Sequence, residues 1–177
     1  MRFLALYVRS RKIPVALAVM VLASLGFWAL DLADVRLLIL TAGLGVGAAA
    51  GGLGGQDLDL DRTAALNWPV RRALHIIAIA LVMSSLIIAT DMGVTPVIVR
   101  DCAGLTGLAA LGAVLFGRHL AWAPPLVMTV WSVILPVPSE IVSWLREPAA
   151  SLPATLTAAV LAAAGLLAYP HFGPRTS

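Results

Sequence analysis

Three carboxylates alternate with apolar residues in the most polar stretch of the chain: Asp57, Asp59 and Asp61, followed at once by Arg62. Carboxylates at this spacing are candidate ligands of a divalent cation, but no histidine or further carboxylate lies nearby, and the spacing departs from that of a calcium loop. The same residues could instead make charged contacts with another protein. Asp61 can cap a short helix that Pro69 would stop. The stretch therefore predicts either a short docking helix or a solvated loop.

The other residues capable of chemistry are few. His75, His119 and His171 each stand near the end of an apolar stretch, where an interfacial histidine and a proton relay are both possible. Cys102 is the single cysteine, which excludes a disulfide within the chain and a cysteine-based metal site. No phosphate-binding loop, nucleophile elbow or H-E-x-x-H pair occurs. We therefore expect a chain that is not an enzyme and holds no cofactor or metal of its own.

One charged pair falls within an apolar stretch. Arg100 and Asp101 stand about one helical turn, ~6 Å, beyond the predicted helix start at Pro96. Charges at this depth in a membrane are tolerated when they pair or reach the interface. The sequence leaves two interpretations open: a locally solvated interfacial pair, and an outer gate or substrate contact.

Six apolar stretches must position these residues. Hydrophobic residues make up 60% of the chain, charged residues 12%, and the mean hydropathy is +0.97. A helix crosses a hydrocarbon core of ~30 Å with about 20 apolar residues. We therefore predict an all-α, polytopic membrane protein, with residues 1–177 forming a single transmembrane domain. The predicted spans are 13–30, 37–55, 73–90, 96–116, 122–135 and 153–169.

The basic residues indicate how these spans are oriented. Nine of the twelve Lys and Arg residues fall at the ends and in alternate gaps, and cytoplasmic loops carry such an excess. The nine are Arg2, Arg9, Arg11, Lys12, Arg62, Arg71, Arg72, Arg118 and Arg175. We expect both termini in the cytoplasm, a net charge of +6 inside and −3 outside, and a multi-pass protein of the plasma (inner) membrane in contact with lipid. The basic residues are not interleaved with aromatics, so nucleic acid is not an expected partner.

Two segments outside the spans are amphipathic. Residues 1–12 combine apolar and basic positions, which suits an interfacial helix or a plain positively charged anchor. Residues 136–152 are too polar for a span and too hydrophobic for an ordinary loop. They predict an amphipathic outer segment between the fifth and sixth spans.

Glycine recurs at every fourth residue of the second span, at Gly43, Gly47, Gly51 and Gly55. This spacing puts the four along one helix face, where another backbone can approach closely. The pattern predicts tight helix packing, with a broken lower helix as the alternative.

This layout resembles the membrane subunits of ATP-binding-cassette exporters of the bacterial drug and polysaccharide export type. The runs Asp-Leu-Asp-Arg-Thr-Ala-Ala at 59–65 and Leu-Ala-Trp-Ala-Pro-Pro at 120–125 are similar to actinobacterial members. The resemblance implies that residues 56–72 are the coupling loop that docks onto a cytoplasmic ATP-binding subunit. It assigns that contact to Asp57, Asp59, Asp61, Arg62, Asn67, Arg71 and Arg72. ATP and magnesium would belong to the partner subunit, and a second permease copy or a related permease would complete the pore.

Two other functions fit a six-span chain of this size. One is the substrate-binding membrane subunit of a vitamin importer, which also borrows its ATPase. The other is a structural or immunity-type membrane protein that transports nothing. The sequence names neither a substrate nor a direction of transport.

Overall fold

The computed structural model describes residues 13–29, 34–53, 68–91, 93–135 and 139–175, and these ranges contain helices but no strands. The all-α fold class is confirmed. The predicted interfacial helix at 1–12 lies outside the described residues. The helices are α1 (Ile13–Ala29), α2 (Val35–Ala50), α3 (Trp68–Ile88), α4 (Thr95–Phe116), α5 (Ala123–Ile134) and α6 (Leu152–Phe172), with a 3-10 turn at Trp144–Arg146.

Local signals in the sequence set several helix ends. The side chains of Asp34 and Ser151 accept hydrogen bonds, at 2.8 and 3.3 Å, from backbone N–H groups in the first turns of α2 and α6. Such caps satisfy donors that have no partner inside the helix. Helices α4 and α6 end at Gly117 and Gly173, whose φ angles of 84° and 68° favour glycine.

Three of the helices are long and apolar enough to cross a membrane: α3, α4 and α6, with 21, 22 and 21 residues. At 1.5 Å per residue each is about 32 Å long. The apolar helices α1, α2 and α5 are shorter, with 17, 16 and 12 residues. The protein thus has the character of a membrane protein with three candidate spans, and the six-span topology remains a prediction.

Helix α4 is the most enclosed of the three candidate spans, and its closest neighbour is α6. The two backbones touch where they cross. A Cβ atom on Gly107 would overlap the carbonyl of Leu161, and one on Gly165 would lie 2.5 Å from the carbonyl oxygen of Gly107. Because no side chain fits between them, this crossing depends on glycine in both helices.

The glycine-rich face of α2 contacts α5. Gly43 lies against Thr129, and a Cβ on Gly47 would sit 3.0 Å from a leucine side chain of α5. Gly51 follows the last residue of α2 and is exposed, and Gly55 lies outside the described residues. The close approach of α2 and α5 therefore involves the first two glycines of the series.

Hydrogen bonds bring the end of α2, the start of α3 and the ends of α4 and α6 together. The Tyr169 hydroxyl donates to the carbonyl of Leu53, just beyond α2. The Arg72 guanidinium donates to a carbonyl in the last turn of α6 at 3.5 Å, and the backbone N–H of Arg175 donates to one in the last turn of α4 at 3.0 Å. We call this the basic end. Its charged residues, among those described, are Arg71, Arg72, Arg118 and Arg175.

The opposite end holds the starts of α2, α4 and α6 and has the opposite charge balance, so we call it the acidic end. Its described charged residues are the five carboxylates Asp34, Asp91, Asp101, Glu140 and Glu147 and the three arginines Arg36, Arg100 and Arg146. The bundle is therefore electrically polarised along its length.

Candidate functional site at the acidic end

The most connected polar group at the acidic end is the guanidinium of Arg100. Its Nε donates to Oδ1 of Asp101 at 2.8 Å, and its Nη1 donates to the carbonyl of Pro148 at 3.0 Å. Its Nη2 donates to the carbonyls of Trp144 and Glu147, at 2.9 and 2.8 Å. One side chain of α4 thus holds three carbonyls that lie 44 to 48 residues further along the chain.

This pair is buried: Arg100 is 8% exposed and Asp101 is fully enclosed. The interpretation of a locally solvated interfacial pair is therefore wrong. The sequence could not show that a distant segment folds over the start of α4 and replaces water as the hydrogen-bond partner. A buried guanidinium is tolerated here because its charge is paired and hydrogen bonds engage four of its five N–H donors.

The segment that covers the pair is residues 139–151, called the outer segment below; it corresponds to the predicted amphipathic segment at 136–152. Its centre is the 3-10 turn Trp144–Arg146, in which Trp144 and Leu145 are buried. The Trp144 ring lies against Gly104 of α4, where an added Cβ would come within 2.5 Å of it. Trp144 and Leu145 thus face the bundle, whereas Ile141 and Val142 of the same segment are exposed.

Two further hydrogen bonds stabilise the outer segment. The Ser143 hydroxyl lies 2.9 Å from Oε1 of Glu147, across the 3-10 turn, and 2.9 Å from the carbonyl of Ser139, and it can donate its hydrogen to either. The Ser151 hydroxyl, at the start of α6, donates to Oε2 of Glu140 at 3.2 Å. With the Arg100 contacts, they make the outer segment an ordered cover for the acidic end.

Asp101 uses only one of its two carboxylate oxygens. Its Oδ2 is buried and has no hydrogen-bond partner among the described residues. Oxygens in such a position can accept one further donor. In the predicted outer gate, the guanidinium of Arg100 is thus paired and hydrogen-bonded, whereas the carboxylate of Asp101 has one oxygen that can still accept a hydrogen bond. Chemically, the pair can fasten the outer segment and bind one N–H or O–H group.

A cavity of about 320 Å³ opens beside the Arg100 contacts, between the starts of α2 and α4 and the outer segment. Its walls are mainly apolar, with Leu38 and Val97 among them. Asp34, Arg146 and Glu147 add charge to the lining. Because Arg100 holds the carbonyl of Glu147, it positions one wall of this cavity.

Two of the predicted docking residues, Arg71 and Arg72, lie at the basic end. The other five are outside the described residues: Asp57, Asp59, Asp61, Arg62 and Asn67. The guanidinium of Arg71 stands 5.9 Å from the centre of the Trp68 ring, a cation–π arrangement at the start of α3. Arg72 reaches across to α6.

The remaining candidates for chemistry do not converge. Within the described ranges, no three His, Cys, Asp or Glu side chains come close enough to hold a metal ion. His119 accepts a hydrogen bond from Nε of Arg118 at 3.1 Å, in the turn before α5. Cys102 is buried in α4. The described residues of the acidic end can therefore act through hydrogen bonds and ionic interactions.

Sequence reasoning missed the residues that let the outer segment and α6 reach α4. Gly104 admits the Trp144 ring, and Gly107 and Gly165 admit the backbone of the partner helix. Their sequence signal is weak. Gly104 and Gly107 are spaced i, i+3 on one side of α4, but nothing in the chain pairs them with Gly165.

Comparison with known proteins gives no match: no family model fits the sequence, and no curated protein or solved structure is significantly similar to it. Any account of function therefore rests on this chain's own residues and their contacts.

Proposed function

We propose that this chain is the membrane-spanning subunit of an ATP-driven exporter of the ATP-binding-cassette type. In this proposal all six helices cross the plasma membrane, the basic end and both termini face the cytoplasm, and a separate subunit binds ATP and magnesium. The chain itself has no catalytic role. A second copy, or a related permease, completes the transport path.

The observation that carries the proposal is the way both ends of the segment 54–67 are fastened. On one side Leu53 is held by Tyr169 of α6, and on the other the segment leads directly into α3, a helix of 21 residues. A loop that transmits movement from an ATPase must be attached to rigid elements, since a slack attachment would absorb the displacement. Both attachments are at the basic end, which the distribution of charge favours as the cytoplasmic one.

The packing of α2 offers a route by which such a movement would spread. Helix α2 ends just before Leu53, the first attachment of the segment. It contacts α1, α3, α4 and α5 within the bundle. At Gly43 its backbone lies directly against Thr129 of α5. A displacement of α2 would therefore shift several helices together, as alternation between inward-open and outward-open states requires.

The test is affinity purification of the tagged chain from its native host in mild detergent, followed by mass spectrometry. A stoichiometric ATP-binding subunit is expected, and Asp61→Asn with Arg62→Gln should remove it or uncouple ATP hydrolysis from transport. The matched control is Asp91→Asn with Arg36→Gln, which also removes one negative and one positive charge, but from exposed residues of the acidic end. A chain that purifies alone would overturn the proposal and leave a structural or immunity-type role.

The cavity at the acidic end favours one alternative, the substrate-binding membrane subunit of a vitamin importer. Such a subunit needs an outward-facing pocket for a small ligand, and about 320 Å³ is within the lower part of the size range of small-molecule sites. A vitamin retained by the purified chain would favour this alternative over the exporter.

A further inference from the structure

Three charged side chains share the cavity at the acidic end without pairing with one another: Asp34, Arg146 and Glu147. Among the described residues, the one ion pair is that between Arg100 and Asp101, and neither residue lines this cavity. The guanidinium of Arg146 makes no hydrogen bond or ion pair to any described residue, although it is only half-exposed. Opposite charges thus line one cavity without forming an ion pair with one another.

We propose that this cavity binds a group that carries a phosphate and a primary ammonium, as in an ethanolamine phospholipid headgroup. Arg146 would bind the phosphate, and Asp34 and Glu147 would bind the ammonium. This inference does not depend on the transport proposal, because the cavity and its charges are present whichever function the chain has.

The hydrogen-bonding capacity of the three side chains matches such a group. An arginine guanidinium presents a planar fork of donors that binds phosphate oxygens in pairs. Oδ1 of Asp34 accepts the N-cap hydrogen bond of α2, and Oε1 of Glu147 lies within hydrogen-bond distance of the Ser143 hydroxyl. Each carboxylate therefore keeps one oxygen for a ligand. A primary ammonium has three N–H donors, enough to reach both.

The position and lining of the cavity favour a lipid as the source of this group. The acidic end is the predicted outer end, where the headgroups of the outer leaflet lie. Of the apolar lining residues, Leu38 is buried and Val97 half-buried, whereas Val35 and Val94 are 43% and 60% exposed. An apolar edge of this kind suits the glycerol and upper acyl region of a lipid better than a fully hydrated solute.

The experiment is native mass spectrometry of the delipidated full chain in detergent, titrated with single lipids. Phosphatidylethanolamine should bind as one retained molecule. Phosphatidylcholine should bind more weakly because its quaternary ammonium has no N–H donors, and phosphatidylglycerol because it lacks a cation. Arg146→Gln should weaken phosphatidylethanolamine binding by about tenfold, the effect expected for losing a charge-assisted hydrogen bond at a partly exposed site. Glu147→Gln should reduce the preference over phosphatidylglycerol.

Arg36→Gln and Asp91→Asn are the controls for Arg146→Gln and Glu147→Gln. Each removes a charge of the same sign from an exposed residue of the acidic end that does not line the cavity. All four variants should unfold at the same temperature as the parent when lipid is absent. Soluble phosphoethanolamine forms the second arm: if it binds and the lipid does not, the site takes a water-soluble phosphoamine. Equal retention of all three lipids, or equal binding by the Arg146→Gln and Arg36→Gln variants, would overturn the proposal.

Discussion

Arg100 at the acidic end and two arginines at the basic end make contacts of opposite kinds. At the acidic end, Arg100 points inward, is 8% exposed, and makes four hydrogen bonds of 2.8 to 3.0 Å. At the basic end, the guanidinium groups of Arg72 and Arg175 reach helix carbonyls at 3.5 and 3.4 Å near the protein surface. The hydrogen bonds of the first arrangement are short and buried, and those of the second are longer and partly or fully exposed.

This difference separates two roles for a positive charge. A buried, paired guanidinium is costly to disturb, because removing one partner leaves the other charge without water. Weak contacts near the surface are readily exchanged, since solvent competes with them and screening reduces their strength. The acidic end is therefore built to keep the outer segment in place. The basic end keeps arginines available for a partner, as the proposed docking function requires.

The largest effect should follow the loss of Arg100. Arg100→Gln should lower the free energy of unfolding by about 3–5 kcal/mol, because it leaves Asp101 as an uncompensated buried charge and releases three carbonyls of the outer segment. The measurement is reversible unfolding in mixed micelles with increasing denaturing detergent. Arg100→Lys should recover only part of this loss, since an ammonium cannot reproduce the fork.

The comparison variant for Arg100 is Arg36→Gln, which removes an exposed charge at the same end. It should change the free energy of unfolding by about 0.5 kcal/mol at most. If both variants lose the same amount, the burial and hydrogen bonds of Arg100 have no energetic consequence, and the contrast between the two ends fails.

The next effect should come from the crossing of α4 and α6. Gly107→Ala should lower the free energy of unfolding by about 1–3 kcal/mol, because its methyl group would meet backbone atoms that cannot move aside easily. Gly26→Ala is the matched control, since a Cβ there meets nothing within 4 Å. It should be neutral or stabilising by up to about 1 kcal/mol, in line with helix propensity. The same unfolding assay serves both.

Tyr169→Phe should have a smaller effect, a loss of about 1 kcal/mol, because it removes the hydroxyl that holds Leu53 and keeps the ring in place. The change should also loosen the start of segment 54–67, detectable as faster amide hydrogen exchange at Gly52 and Leu53. Thr157→Val, which removes an exposed hydroxyl from the same helix, should leave that exchange unchanged. Identical exchange in the two variants would contradict a fastening role for Tyr169.

Arg72→Gln should have the smallest effect on stability, about 0.5 kcal/mol or less, because its contact with α6 is long and partly open. Its effect on function should be larger. Reconstituted transport per ATP hydrolysed should fall, whereas Arg36→Gln should leave that ratio unchanged. If coupling survives in the Arg72 variant, this arginine has no part in transmission from the ATPase.

The sequence could predict the local features of this molecule. Apolar stretches located the helices, and Asp34, Ser151 and Gly117 lie at helix ends because capping is decided within a few residues. The position of Arg100 about one turn into α4 could also be predicted from its distance to Pro96. Its burial was not, because the carbonyls that surround it lie 44 to 48 residues away and belong to a segment without strong helix or strand periodicity.

Glycine shows the same division between local pattern and long-range contact. The spacing of Gly43 and Gly47 indicates a face for close packing, but the identity of the partner, α5, depends on the tertiary arrangement. The contact of Gly107 with Gly165 spans 58 residues and has no repeating pattern at all. Helix crossings of this kind are set by shape in three dimensions, which hydropathy does not encode.

Cysteine accessibility in intact cells is the sharpest test of the proposal that the basic end faces the cytoplasm, where it can meet an ATPase. Cys102 is buried and is the only cysteine, so a Cys102→Ala background accepts single cysteines cleanly. A membrane-impermeant maleimide should label Arg36→Cys and Asp91→Cys in intact cells, and Arg71→Cys and Arg175→Cys only after permeabilisation. Labelling of the Arg71 and Arg175 variants in intact cells would place the basic end outside and contradict the account.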